Sequence, residues 1–397
     1  MIAEKMKGLV EGSSVIRKMF EEGKELAEKY GAENVCDFSL GNPNLPAPPA
    51  VKEAIHSVLE EENPVFVHGY MNNSGYPDVR QTIAESLNKR FDTAFSSENI
   101  VMTAGAAGGM SIAMKALLNP QDEIVVFAPF FGEYRCYAAL ADAKLVVVPP
   151  NPPSFLPDMD AFAKAITAKT KMVIVNSPNN PTGVVYPEST IKDLAAVMEK
   201  KQKEYGTEIY LFADEPYREL VYDADVTVPY LTKYYDNTIV GYSWSKSLSL
   251  PGERIGYLAV SEKVVDFELL MSALNVATRV LGFVNAPSLQ QRVIKRCVGQ
   301  VADLEFYRKN RDTLYEGLAE AGLSCVKPDG AFYLWVKTPI ADENEFAERA
   351  KKYLLLTVPG SAFGCSGYIR LSYCVSPEMI QTAIPKFKEL MEEFKNN

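Results

Sequence analysis

Between residues 98 and 260 the chain carries seven short apolar runs, at 100–103, 124–128, 145–148, 172–175, 209–213, 238–240 and 254–260, and several are apolar without interruption. A strand with one wet face alternates apolar and polar residues. A run that stays apolar at successive positions is buried on both faces. Segments with helical spacing lie between several of the runs, at 108–118 (stopped by Asn119-Pro120), 158–167 and 188–205. This alternation predicts an α/β fold: a mostly parallel seven-stranded sheet flanked by helices.

The texture changes on either side. After about residue 285, two long amphipathic segments, 301–321 and 377–394, flank shorter strand-like stretches at 331–336 and 368–374, which predicts a smaller α+β domain. Pro385 is expected to kink or break the last helix. Near the start, Ile16, Met19, Phe20, Leu26 and Tyr30 keep helical spacing, with Ser13 or Ser14 available as a cap and Gly31 as a stop. "GNPNLPAPP" (41–49) follows, and its four prolines in nine residues make a stiff, irregular connection. The expected division is a segment 1–45 packing with the small domain, a large ligand-binding domain 46–285, and a small domain 286–397.

Charge and composition remove several functions. A formal net charge of −10 gives no general attraction for nucleic acid. Charged residues interrupt every apolar run before the roughly 20 residues that span a membrane, and the first residues lack the apolar core of a signal peptide; a cytoplasmic location is expected. Six cysteines are scattered without ligand spacing, and only His56 and His68 are present, so neither a disulfide framework nor a metal site is expected.

In an open α/β sheet, ligands bind beyond the carboxyl ends of the strands. Four of the runs end there in chemistry: "AGAAGG" (104–109) opening a helix, "NSPNNPTG" (176–183), "DEPY" (214–217) and "SWSK" (243–246). Each alone reads as a turn, a cap or a surface lysine; four together at one sheet edge do not. Backbone N–H groups at the start of a helix hold phosphate. A lysine amine forms a Schiff base with an aldehyde. A buried acid keeps a pyridine nitrogen protonated. That combination is the arrangement used for pyridoxal 5'-phosphate.

With "SWSKSLSLPGERIG", "NSPNNPTG", "ADEPY", "GAFYLWV" and "VPGSAFGCSGYIRLSY" in this order, nearly the whole chain resembles the class I, fold-type I pyridoxal-phosphate aminotransferases. The resemblance implies that Lys246 carries the cofactor and shuttles the substrate proton. It implies that Ser243 and Arg254 hold the phosphate with Gly105, Ala106 and Ala107. Asp214 is matched to the pyridinium partner, Tyr217 and Asn180 to the donors on the ring hydroxyl, and Phe131 to the aromatic stacked on the ring. Relatives often have Tyr or Trp at the Phe131 position. Arg370 is matched to the fork on the substrate α-carboxylate, with Gly41 closing over it and Asn180 beside it. Tyr70, in "HGYMNNSGYPDVR", is matched to a tyrosine that reaches the phosphate of a neighbouring subunit, which implies a homodimer with shared sites.

The implied activity is amino transfer between an L-amino acid and a 2-oxo acid such as 2-oxoglutarate. Aspartate is a candidate donor because Arg279, in "NVATRVLGFVNAP", sits near the place of an arginine that reads the distal carboxylate in dicarboxylate-specific relatives, although its register is offset by about one residue. A lysine that reads that carboxylate in some aspartate-specific relatives is replaced here by Ala107. Broad or aromatic aminotransferases, carbon–sulfur β-lyases and cyclopropane-forming synthases share the same cofactor residues and stay open. A non-catalytic regulator with an aminotransferase-like domain is disfavoured by the acidic charge and by a fold that begins near residue 13.

Overall fold

The computed structural model describes residues 2–11 and 15–395. Thirteen strands lie along the described residues: β1 (Cys36–Asp37), β2 (Ile100–Thr103), β3 (Glu123–Phe127), β4 (Lys144–Val148), β5 (Thr170–Asn176), β6 (Tyr210–Asp214), β7 (Thr238–Ser243), β8 (Gly256–Val260), β9 (Ser324–Val326), β10 (Tyr333–Lys337), β11 (Leu355–Leu356), β12 (Val358–Pro359) and β13 (Tyr368–Ser372). Strands β2 to β8 are the seven expected runs. They form one sheet in the order β2-β8-β7-β6-β5-β3-β4. The pairs among β3 to β7 are parallel, and only β8 runs antiparallel, between β2 and β7.

Both faces of this sheet are covered, which explains the continuous apolar runs. Val126, Ile174, Phe212 and Ile239 point to one side and pack with Ile112 and Leu274, from helices Gly105–Leu117 and Phe267–Val280. Val125, Val173, Leu211 and Val240 point to the other and pack with Phe162, Leu194 and Ile83. Side chains of successive strand residues alternate between faces, so a strand between two helix layers has no polar side.

The smaller body is an antiparallel sheet, β12-β13-β10-β9, under helices Leu304–Glu320, Glu343–Lys351 and Pro377–Lys395. The N-terminal segment ties onto it. β1 pairs with β11, Phe38 sits in its core, and the Phe38 carbonyl accepts from Ser372 N–H at 2.9 Å. Ser13 and Ser14, expected as caps, lie outside the described residues; the helix they precede runs Val15–Tyr30 and stops at Gly31, which has φ 88°.

Two expectations are corrected. Helix Ser288–Cys297 was assigned to the small domain by a boundary at 286. It instead packs on helices Pro49–Glu61 and Pro77–Phe91, burying Val293, Ile294 and Cys297 in the large core, and Arg292 bonds Glu62 and Asp78. The division therefore falls after Cys297. Pro385 does not break the last helix, which continues from Pro377 to Lys395. Pro385 is on the exposed side, as is Gln381, whose carbonyl loses its i+4 donor. The buried stripe Ile380, Ala383, Phe387 and Leu390 runs past it on the opposite side and anchors the helix on either side of Pro385.

Candidate active site

The sheet register assembles the site. At the carboxyl edge Asn176 of β5 is the cross-strand partner of Asp214 of β6, and β7 ends beside them at Ser243. Because β8 is antiparallel, its first residue lies at this same edge: Gly256 is paired with Ser243 on one side and Thr103 on the other. Arg254, just before β8, and Gly105, just after β2, are thereby brought together. A Cβ on Gly105 would lie 2.6 Å from the Arg254 guanidinium, and Gly105 has φ 71°, so only glycine fits the head of this helix.

These residues open onto a cleft of about 300 Å³. At one end lie Ala106, Ala107, Ser243, Ser245 and Arg254; at the other lie Gly41, Asn180, Tyr333 and Arg370; Phe131, Asp214, Tyr217 and Lys246 lie on its walls as well. Gly105 stands behind this wall against Arg254. Tyr70 is 92% exposed and outside the cleft of its own chain. Arg279 is exposed in the last turn of Phe267–Val280 and does not line the cleft either.

Lys246 sits in the short helix Trp244–Ser247 directly after β7. Its Nζ donates to the Gly41 carbonyl at 2.7 Å. Burial brings its pKa down from 10.5 to about 8, with Arg370 and Arg254 adding to the shift and Cys374 opposing it. Burial pushes Asp214 up from 3.8 to about 6, although the Tyr134 hydroxyl donates to its Oδ2 and opposes the rise. Among the described residues no cation pairs with Asp214. Asn176 Nδ2 donates to the Asp214 carbonyl at 2.8 Å, and its Oδ1 accepts from Asn180 N–H at 2.7 Å. One side chain thus fixes two cleft residues.

Arg370, on β13, is 2% exposed. Its Nη1 donates to Asn180 Oδ1 at 3.1 Å and its Nη2 to the Ser39 carbonyl, while its Nε has no partner. The guanidinium lies over the rings of Tyr333 and Phe363, at 4.5 and 4.8 Å from their centroids. Among the described residues no carboxylate pairs with it, and burial lowers its pKa. The Tyr217 and Tyr333 hydroxyls are 2.9 Å apart. A Cβ on Gly41 would overlap the Tyr333 hydroxyl, which accounts for a glycine there.

Tyr134, Asn176 and Tyr333 were not singled out from the sequence. Asn176 and Tyr333 lie inside the quoted segments "NSPNNPTG" and "GAFYLWV", and Tyr134 lies three residues after Phe131. Only the register and the docking of the small domain show what they hold.

Comparison with known proteins agrees with this geometry. The family model for class I and II aminotransferases matches residues 33–387. The aspartate/prephenate aminotransferase of Thermus thermophilus is 31% identical over 373 residues, covering 93% of this chain and 94% of that protein. An aminotransferase crystal structure from Eubacterium rectale superposes with a TM-score of 0.96 at 47% identity over 99% of both chains. The Thermus thermophilus aspartate aminotransferase solved with maleate gives 0.87 at 26% identity, covering 98% and 99%. A match of this extent, on a chain whose sheet edge gathers a lysine, an acid and two arginines, places the protein in the class I and II aminotransferase family.

Proposed function

We propose that this cleft binds pyridoxal 5'-phosphate and moves an amino group between an L-amino acid and a 2-oxo acid. One observation carries the reading: a lowered amine, a buried carboxyl without a cation and a buried guanidinium without a carboxylate open onto the same cleft. Each lacks the partner that a buried charge requires, and each missing partner is a piece of one ligand set. A protonated ring nitrogen matches Asp214, an aldehyde matches Lys246, and an α-carboxylate matches the Arg370 guanidinium, which has no carboxylate partner among the described residues.

When bound, the cofactor supplies the aldehyde that accepts the amino group and a ring that withdraws electrons from the substrate carbon. The chain's residues do the rest. Ser243, Arg254 and the N–H groups of Ala106 and Ala107 hold the phosphate at the head of helix Gly105–Leu117. Asp214, fixed by Tyr134 and Asn176, keeps the ring nitrogen protonated. Tyr217 and Asn180 donate to the ring hydroxyl, and Phe131 covers one ring face. Arg370 grips the α-carboxylate and so orients the bond to the α-hydrogen. Lys246, neutral in part near pH 8, takes that proton from the α-carbon and returns it. Tyr70 reaches the phosphate of a second copy; exposed apolar residues at Val65 (81%), Leu269 (69%) and Val280 (59%) suit a self-association surface.

Two results test the reading. The rate at which cofactor-free protein takes up pyridoxal phosphate, followed by visible absorbance, rises with pH and levels off above about 8, because only the neutral Lys246 amine attacks and its pKa is about 8. A rise that continues to pH 10 contradicts this. Gly105→Ala lowers cofactor affinity about tenfold and the melting midpoint with it, since a positive φ costs roughly 1 kcal/mol for a residue with a Cβ and that Cβ displaces Arg254. Unchanged cofactor titration in this variant counts against the proposed phosphate end.

A further inference from the structure

One hydrogen bond on the cleft wall has no part in the reading above. Tyr333, on β10 of the smaller body, and Tyr217, just after β6, hold their hydroxyls 2.9 Å apart. Among the described residues neither hydroxyl has another hydrogen-bond partner. Both side chains are buried and both line the cleft, so the pair is complete within one chain. The rings meet edge to face at 5.7 Å. Arg370 lies over the Tyr333 ring at 4.5 Å, and the Gly41 backbone lies against the Tyr333 hydroxyl. Either hydroxyl can donate in such a pair, and Arg370 decides the direction. Its charge favours the ionised form of Tyr333 and is the largest effect on that group after burial, which pushes the phenol up to about 12. For Tyr217 the neighbouring Tyr333 outweighs Arg370, and the phenol stands well above its ordinary value. The more acidic hydroxyl is the better donor. Tyr333 therefore gives its proton to the Tyr217 oxygen and leaves the Tyr217 proton free for the cleft.

We propose that Tyr333 is a positioning residue whose hydroxyl turns the Tyr217 proton toward the ring hydroxyl of the cofactor. Two hydroxyls in a chain polarise one another, so the bond from Tyr333 also strengthens the one that Tyr217 makes. A donor on the ring oxygen draws negative charge from it. The aldehyde carbon joined to Lys246 neighbours that oxygen on the ring, so the nitrogen there releases its proton at a lower pH. Tyr333 belongs to the smaller body and Tyr217 to the large one, so the docking of the two sets this bond. The inference rests on the pyridoxal-phosphate reading. The other groups acting on the pair are Arg370 and Asp214 at Tyr217, and Arg370 and Cys374 at Tyr333, with Lys246 on the same cleft. Burial pushes the Cys374 thiol up to about 11, so it is neutral below that pH.

The test is a pH titration of the visible band of the cofactor-loaded protein, without substrate, in the wild type, Tyr333→Phe, Tyr217→Phe and the double variant. Tyr333→Phe keeps the ring under Arg370 and removes only the hydroxyl. Expected is a midpoint about half a pH unit higher in Tyr333→Phe and a larger rise in Tyr217→Phe. On the Tyr217→Phe background, Tyr333→Phe adds no further rise, because the two act as one chain. An unmoved or lowered midpoint in Tyr333→Phe overturns the inference and leaves the cofactor reading standing. So does an equal shift on both backgrounds, which would show Tyr333 acting without Tyr217. A wild type that acquires no visible band overturns the cofactor reading, and the inference falls with it.

Discussion

Lys246→Ala is expected to keep its cofactor and to lose amino transfer by about 10⁴-fold or more. The phosphate contacts proposed for Ser243, Arg254 and the head of helix Gly105–Leu117 do not involve the lysine, so binding is expected to survive. What disappears is the amine that the fold holds in the cleft at a pKa of about 8. Among the described residues no other lysine lines the cleft, so none stands ready to replace it. Small amines added to the variant are expected to restore part of the rate, because they supply the missing base without its tether. Turnover near that of the wild type without added amine would remove Lys246 from the mechanism.

Arg370→Leu is expected to weaken every amino and 2-oxo acid to a similar degree, since all carry the α-carboxylate. Breaking a buried charged pair costs about 2–5 kcal/mol, which corresponds to about thirtyfold or more in kcat/KM. The loss has a structural part, because Asn180 Oδ1 and the Ser39 carbonyl lose their donor. Arg370→Lys separates the two: it keeps the charge and removes the planar fork. It should melt close to the wild type and still lose most of the specificity constant. A substrate panel with an unchanged kcat/KM in either variant contradicts the assignment.

The sheet was legible because burial on both faces writes itself into the sequence as uninterrupted apolar runs. The strand ends were not, and the reason is specific. The run read at 238–240 continues as β7 to Ser243 because Tyr242 and Ser243 pair with Tyr257 and Gly256 of β8, and no local pattern announces a partner that distant. The same limit hid part of the site. Tyr134 lies 80 residues before Asp214, and Tyr333 lies 116 residues after Tyr217; each is defined by a contact between separate layers. Helix Ser288–Cys297 was not picked out in the sequence, and even a clear amphipathic pattern there names a buried face without naming the core that buries it. Lys246, Asp214 and Asn180 were legible because their segments follow apolar strand runs with their own turn chemistry, while Arg254 and Arg370 were matched through the resemblance; the sheet register and the docking of the small domain bring all five to one cleft.

The most direct test of the central claim is a single half-turn. The cofactor-loaded protein is mixed in turn with each of a panel of L-amino acids, aspartate and phenylalanine among them, in the absence of any 2-oxo acid, and visible absorbance and the product are measured together. The account predicts loss of the visible band with release of one 2-oxo acid per site, no ammonia, and return of the band when 2-oxoglutarate is added. Steady release of ammonia, or a band that no amino acid changes, would contradict it.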